Sequence, residues 1–174
     1  MLFDRKMIYE GRVIRVSVDT VDLPNGVRLP LEIVRHPGGA AVVAIDAQER
    51  VCLLRQYRHA AGGYIYELPA GKLEPDEPPE VTARRELVEE AAVSASRFES
   101  LGRYFSSPGV FTEVIHLYLA TDLSPAAGAP ESGEVFEIEW WPLAEAVERA
   151  LSGELDDAKT VIGILRAASR KRIA

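Results

Sequence analysis

The chain has 174 residues, 47% hydrophobic and 27% charged, with a formal net charge of −7. That is the balance of one soluble globular domain with a sizeable core, and it lacks the basic face that a nucleic-acid scaffold needs. No apolar run approaches a membrane span, and Met1–Lys6 carry no signal-peptide core, so a cytoplasmic protein is expected.

From the N-terminus, residues 7–16 read as extended. Residues 16–35 form a hairpin turned by Pro24-Asn25-Gly26, where Asn-Gly tolerates positive φ at low cost. His36-Pro37-Gly38-Gly39 then breaks the pattern. It suggests a boundary between an N-terminal antiparallel β segment (1–37) and the main domain (38–174). Ala40–Ile45 and Val51–Gln56 are rich in Val, Ile and Leu and read as buried strands joined by the polar stretch 46–50. The only cysteine, Cys52, lies in this second run and reads as a small buried hydrophobe. The three histidines are scattered without metal-ligand spacing, which excludes a Cys/His zinc site.

Tyr64–Leu68 is a short strand, followed by a loop containing Gly71. Pro78-Pro79 opens a helix running to about Ala92, since proline suits a first turn whose N–H groups are unsatisfied anyway. Ser100–Tyr104 and Val114–Ala120 read as strands around a Ser106-Ser107-Pro108-Gly109 loop. Residues 124–133, rich in Pro, Ala, Gly and Ser, read as a surface loop. Phe136–Trp141 is a strand, with Trp140 and Trp141 assigned to core or interface, and helices cover about 143–151 and 157–170. The sum is a mixed α/β (α+β) domain, a sheet with helices packed on it and an added N-terminal β piece.

The chemistry concentrates in residues 71–93. On a helix, Glu86, Glu89 and Glu90 stand at i, i+3 and i+4, so three carboxylates share a stripe and repel by a few tenths of a kcal/mol each, roughly. A hard divalent cation relieves that repulsion, and Mg²⁺ is commonly held by a few carboxylates together with substrate phosphates. Val81, Leu87, Val88 and Ala91 form the other face and are expected to anchor the helix on the sheet. Arg84 and Arg85 are placed to pair with the glutamates. Gly71, just upstream, lets the backbone approach closely. The triplet alone is more often the pattern of a solvated acidic face; the wider spacing changes that weighting.

Gly71, Glu77, Arg85, Glu86, Leu87, Glu89, Glu90 and Val93 fall on the positions of Gly-x5-Glu-x7-Arg-Glu-U-x-Glu-Glu-x-Gly-U, with U a bulky aliphatic. The segment thus resembles the Nudix box, departing only at the last glycine, which is Ala92; a slightly different helix end with retained chemistry is expected. The resemblance implies a Nudix-type mixed β-sheet between helices. It also implies Mg²⁺ (or Mn²⁺) held by Glu86 and Glu90, with Glu89 close by and the Ala70 carbonyl as a further ligand. The implied reaction is attack of water on a phosphorus of a diphosphate.

Several further segments narrow the resemblance to the ADP-ribose pyrophosphatase branch. Arg55-Gln56-Tyr57-Arg58 is similar to an Arg-Gln-x-Arg stretch whose second arginine, here Arg58, contacts substrate. Glu67-Leu68-Pro69-Ala70-Gly71 matches its Glu-x-Pro-Ala-Gly lead into the box. Ser107-Pro108-Gly109, followed by Glu113, lies where the branch carries Ser-Pro-Gly and a further acidic residue. By the same resemblance the general base is a glutamate on a late loop, Glu134 with Glu131 second, and the catalytic set is Glu134, Glu89 and Arg85. The substrate set is Arg58, Glu67, Pro108, Gly109 and Glu113. Glu32 and Arg28 join it from a partner chain, because relatives are homodimers that exchange the N-terminal β segment. Pro30-Leu31 stands where relatives often have an arginine before the glutamate. Two alternatives remain at this stage. One is a pyrophosphatase for another nucleoside diphosphate conjugate, such as GDP-mannose or a dinucleoside polyphosphate. The other is a Nudix-fold module that senses a nucleotide sugar without cleaving it.

Overall fold

The computed structural model describes residues 1–128, 133 and 135–173. The chain divides into two compact units, one of Met1–Gly38 with Tyr104–Val114, the other of Gly39–Arg103 with Ile115–Ala174. The second segment of the first unit was not separable in the sequence, where the domain boundary was expected as a single cut near residue 37.

The first unit is a three-stranded antiparallel sheet of β1 (Leu2–Glu10), β2 (Arg15–Asp22) and β3 (Arg28–Arg35), in that order. The extended stretch expected over 7–16 is broken between β1 and β2, where Gly11 N–H donates to the Ile14 carbonyl. The β2–β3 hairpin closes as the sequence suggested. Gly26 takes φ 84°, and Val27 N–H donates to Asn25 Oδ1 at 3.1 Å. Residues 110–112 add to the outer edge of β3, with Val34 N–H donating to the Val110 carbonyl and Thr112 N–H to that of Val34.

Alternation along β2 buries Ser17 and Asp19 rather than Val16 and Val18. Arg5 and Arg35 both donate to the Asp19 carboxylate, as does Ser17. These bonds, Arg5 foremost, outweigh desolvation and hold the Asp19 carboxyl at about 2. A charge buried this way needs such partners. On the sheet edge, every residue of β1 is exposed, including Leu2, Phe3, Met7, Ile8 and Tyr9.

The second unit holds two sheets. A four-stranded mixed sheet runs β7 (Ala70–Lys72), β4 (Gly39–Ala44), β9 (Val114–Pro125), β8 (Val93–Phe105). In it β4 is antiparallel to β7 and parallel to β9. A three-stranded antiparallel sheet runs β10 (Phe136–Pro142), β5 (Arg50–Arg58), β6 (Gly63–Glu67). Helices are α1 (Pro79–Ala91), α2 (Leu143–Ser152) and α3 (Ala158–Ile173).

β4 is buried along its whole length, so its apolar run is continuous rather than alternating, as for a strand covered on both faces. Ala40, Val42 and Ala44 pack with Ala83, Leu87 and Ala91 of α1. On the other face, the Cα of Gly163 in α3 approaches so closely that an added Cβ would stand 3.0 Å from Val43 and 2.6 Å from Leu68. The mixed sheet is therefore covered by helices on both faces. Cys52 is fully buried beside this core. Burial, and then the Glu90 charge, push its thiol up to about 12, so it packs as a hydrophobe.

Two features differ from the sequence reading of α1. Val81 is exposed, and Thr82, Ala83, Glu86, Leu87, Glu90 and Ala91 form the buried face. The helix phase is rotated so that two glutamates go inward with the apolar stripe. The helix end is not remodelled by the missing glycine. Ala92 itself adopts the left-handed conformation, φ 53° and ψ 32°, and its N–H donates to the Val88 carbonyl. A Cβ in this region costs about 1 kcal/mol, whereas glycine carries no such penalty. Ala92→Gly is expected to raise stability by about 0.5–1 kcal/mol, read as a higher urea midpoint with an unchanged slope.

Candidate active site

The site is assembled where the β6–β7 connection meets α1. β6 ends at Glu67, Pro69 passes the chain on, and Ala70–Lys72 pairs with Gly39–Ala41 as β7. The sequence read this stretch as loop, because Pro69 and Gly71 interrupt any strand pattern. Pairing with β4 fixes Ala70 and Gly71 against α1. Ala70 N–H donates to Glu90 Oε2 at 2.7 Å. A Cβ on Gly71 would overlap the Glu86 carboxylate and lie 2.8 Å from Glu86 Cγ. Glycine here is a matter of space, not of backbone conformation, and its missing side chain is the room the Glu86 carboxylate uses.

Glu86 and Glu90 are both buried, with 8% and 1% of their surface exposed. Glu89 is on the half-exposed side of the helix. Arg85 stands among three carboxylates. Its Nη1 donates to Glu86 Oε1 at 2.7 Å and to Glu89 Oε2 at 3.0 Å. Its Nη2 and Nε reach Glu77 at 3.3 and 3.4 Å. Burial alone would lower the Arg85 pKa, but the bonds to Glu77 and the charge of Glu86 raise it above its ordinary value. Glu77 also accepts from Thr82 Oγ1 at 2.7 Å, so the box glutamate at the loop end clasps the first turns of α1. The Thr82 and Arg85 bonds hold the Glu77 carboxyl below its ordinary range.

The three-glutamate stripe thus separates. Glu86 and Glu90 turn to the Ala70–Gly71 backbone, and Glu89 turns to Arg85. Among the described residues, no three His, Cys, Asp or Glu side chains are gathered as a metal cage. Glu86 and Glu90 nevertheless offer hard anionic oxygens beside the half-buried Ala70–Gly71 backbone, the donor chemistry suited to Mg²⁺ or Mn²⁺.

Beside this wall stands a second charged group. Glu67, 2% exposed, accepts from Arg58 Nε at 2.7 Å and Nη2 at 2.8 Å. It also accepts from Lys159 Nζ at 2.6 Å. Burial would raise the Glu67 pKa, but Arg58 and Lys159 hold it below its ordinary value. The sequence paired Arg58 with Glu67 as substrate residues without foreseeing Lys159, which is 92 positions from Glu67. The local signal was Asp157-Ala158-Lys159-Thr160, since Asp157 Oδ2 accepts from Thr160 N–H at 2.9 Å as a helix cap.

Pro108, Gly109 and Glu113 belong to the first unit. Pro108 and Gly109 are exposed in a turn closed by the Ser107 carbonyl, and Glu113 Oε1 is 3.3 Å from His36 Nδ1. Also in that unit, Glu32 is exposed on β3. Arg28 is engaged locally, bidentate to Asp22 at 2.6 and 2.9 Å and stacked 3.7 Å from the Phe3 ring centroid. Glu131 and Glu134 fall outside the described residues.

A NUDIX domain model matches residues 35–162. The chain belongs to the NUDIX family. It is 43% identical over 171 residues to the methanol dehydrogenase activator of Bacillus methanolicus, covering 94% of this chain and 92% of that protein. It is 38% identical over 162 residues to the ADP-ribose pyrophosphatase of Bacillus subtilis (strain 168), covering 92% and 88%. The ADP-ribose pyrophosphatase of Mycobacterium tuberculosis is 36% identical over 162 residues, covering 91% and 78%. A crystal structure of an ADP compounds hydrolase superposes with a TM-score of 0.85 at 22% identity, over 99% of this chain and 94% of that one, which shows the shared fold. With this domain and these relatives, the chain is a Nudix hydrolase, a family that generally uses a divalent metal, and its substrates are small nucleoside diphosphate compounds.

Proposed function

We propose that this Nudix hydrolase cleaves the diphosphate bond of ADP-ribose, giving AMP and ribose 5-phosphate, with Mg²⁺ as its metal and Mn²⁺ as a substitute. The observation that carries the reading is the pair of buried carboxylates, Glu86 and Glu90, set against the Ala70–Gly71 backbone. Similarity to two ADP-ribose pyrophosphatases supports the choice of conjugate.

Glu86, Glu90 and the Ala70 carbonyl would hold the metal, with Glu89 adjoining. When bound, the metal polarises phosphoryl oxygens and lowers the pKa of the attacking water. Arg85 orients Glu86 and Glu89, as its bonds to both suggest. Glu134 on the late loop accepts the proton of the attacking water, with Glu131 as the second choice. Upstream of these residues, Gly128 lies so close to the end of α1 that a Cβ on it would stand 3.1 Å from Ala92 and 3.3 Å from the Glu89 carbonyl. Arg58, braced by Glu67, binds the anionic diphosphate. Pro108, Gly109 and Glu113 are the further substrate contacts.

The protein is a cytoplasmic homodimer in which the 1–37 segment is exchanged, bringing Glu32 and Arg28 to the partner's substrate. The exposed edge strand β1, which presents Leu2, Phe3, Met7, Ile8 and Tyr9 beside its charged residues, supports this, because an open strand edge is a template for pairing with another chain. Light scattering on the eluted protein is expected to give the mass of two chains; a monomer would remove both residues from the site.

A GDP-mannose pyrophosphatase of Cronobacter sakazakii is 36% identical over 149 residues, so the decisive experiment compares conjugates. Incubation with Mg²⁺ and ADP-ribose, GDP-mannose or a diadenosine polyphosphate, followed by chromatography, is expected to yield AMP fastest from ADP-ribose. Faster cleavage of GDP-mannose would reassign the substrate.

A further inference from the structure

The first turn of α3 is joined to the exit of β6 by two side chains. Thr160, fully buried, accepts from Leu68 N–H at 2.9 Å through Oγ1. Lys159 Nζ donates to Glu67 Oε2 at 2.6 Å and to Asp157 Oδ1 at 3.0 Å. Leu68 is followed directly by Pro69, Ala70 and Gly71, so the α3 cap supports the segment that faces Glu86 and Glu90.

The charges explain why a lysine is needed. Glu67 is 2% exposed at its side chain while Arg58 is 42% exposed. An exposed arginine gives up rotamer freedom to hold one geometry, and a surface ion pair does so weakly. A buried carboxylate anchors the guanidinium through two parallel bonds and fixes its plane, provided its own desolvation is offset by further bonds. Lys159, with 16% of its side chain exposed, supplies the third. Arg58, Lys159, Glu67 and Asp157 then sum to zero charge. Without Lys159, neutralising the buried Glu67 falls to Arg58, the same arginine that binds substrate.

We propose that Lys159 is a positioning residue: from the start of α3 it holds Glu67 so that Glu67 fixes Arg58 for capture of the substrate diphosphate. This rests on the reading of Arg58 as a substrate contact. Lys159→Met is expected to raise KM for ADP-ribose about tenfold and change kcat less than about threefold, the signature of lost ground-state binding. Lys159→Arg should recover most of the loss. In the double variant Arg58→Ala/Lys159→Met, KM should equal that of Arg58→Ala alone, because the lysine acts only through the arginine. Multiplying effects would overturn the proposal and leave Lys159 a structural clamp on α3.

A measurement without substrate separates this from the functional reading. The Arg58 Nε–H proton resonance, assigned by its loss in Arg58→Lys, should exchange slowly with solvent in the unaltered protein. It should exchange about tenfold faster in Lys159→Met, as expected when a coupled bond is loosened by roughly 1.4 kcal/mol, and recover in Lys159→Arg. Unchanged exchange refutes the positioning role even if ADP-ribose is cleaved. Faster exchange in a protein that leaves ADP-ribose intact upholds the coupling and discards the substrate.

Discussion

Glu90→Gln is expected to lower kcat/KM by about a thousandfold and to raise the Mg²⁺ concentration for half-maximal activity by tenfold or more, since losing several kcal/mol of metal-derived stabilisation costs a decade of rate for about every 1.4 kcal/mol. Glu90 is 1% exposed, and its Oε2 accepts from Ala70 N–H at 2.7 Å. A glutamine of the same length keeps that acceptor through its amide carbonyl. The change therefore removes charge and leaves the local shape. The fold should tolerate it, because Glu86 and Glu90 at i and i+4 repel, and removing one relieves a few tenths of a kcal/mol, roughly. A melting temperature equal to or above that of the unaltered protein, together with the loss of activity, is the expected pair of results. Full activity would place the metal elsewhere. A melting temperature lower by several degrees would make the carboxylate part of the packing.

The glutamates of the candidate site were more legible in the sequence than the strands around them. Glu86 and Glu90 announce themselves by helical spacing, and Gly71 by its place before the helix. Strands β4 and β5 follow from their apolar runs, and the α1 start follows from Pro78-Pro79. β7 did not follow: it has three residues, two of them Ala and Gly, and exists because Gly39–Ala41, some thirty positions away, pairs with it. Most of β8 was also missed, because its residues are largely exposed and only one, Leu101, is buried. Val81 was assigned inward on hydropathy alone. The helix instead turns its carboxylates toward β7, so Thr82 and Ala83 take the contact, and the apolar stripe and the buried stripe do not coincide. The Asp157–Thr160 cap marks the start of α3, but no local pattern links Lys159 to Glu67.

Gly71→Ala tests shape where Glu90→Gln tests charge. The added methyl would overlap the Glu86 carboxylate, with Glu86 Cγ 2.8 Å away. β7 is paired to Gly39–Ala41 and does not move easily, whereas a glutamate rotates about its side-chain bonds. The carboxylate is therefore what yields, swinging out of the cradle. Arg85 Nη1, bonded to Glu86 Oε1 at 2.7 Å and Glu89 Oε2 at 3.0 Å, is pulled with it or left on Glu89 alone. The charges of Arg85, Glu86, Glu89 and Glu90 all remain, and Gly71 needs no positive φ, so alanine adds no backbone strain. The loss of stability should be held to about 1–3 kcal/mol, the usual range for overpacking. Activity should fall about a hundredfold, as when an oriented ligand is misplaced by roughly 1 Å. Added Mg²⁺ should recover only part of it, since the defect is one of ligand position as well as affinity. If Gly71→Ala retains full activity with normal metal dependence, Glu86 has another productive orientation, and the close approach at Gly71 is a packing detail rather than a determinant of the site.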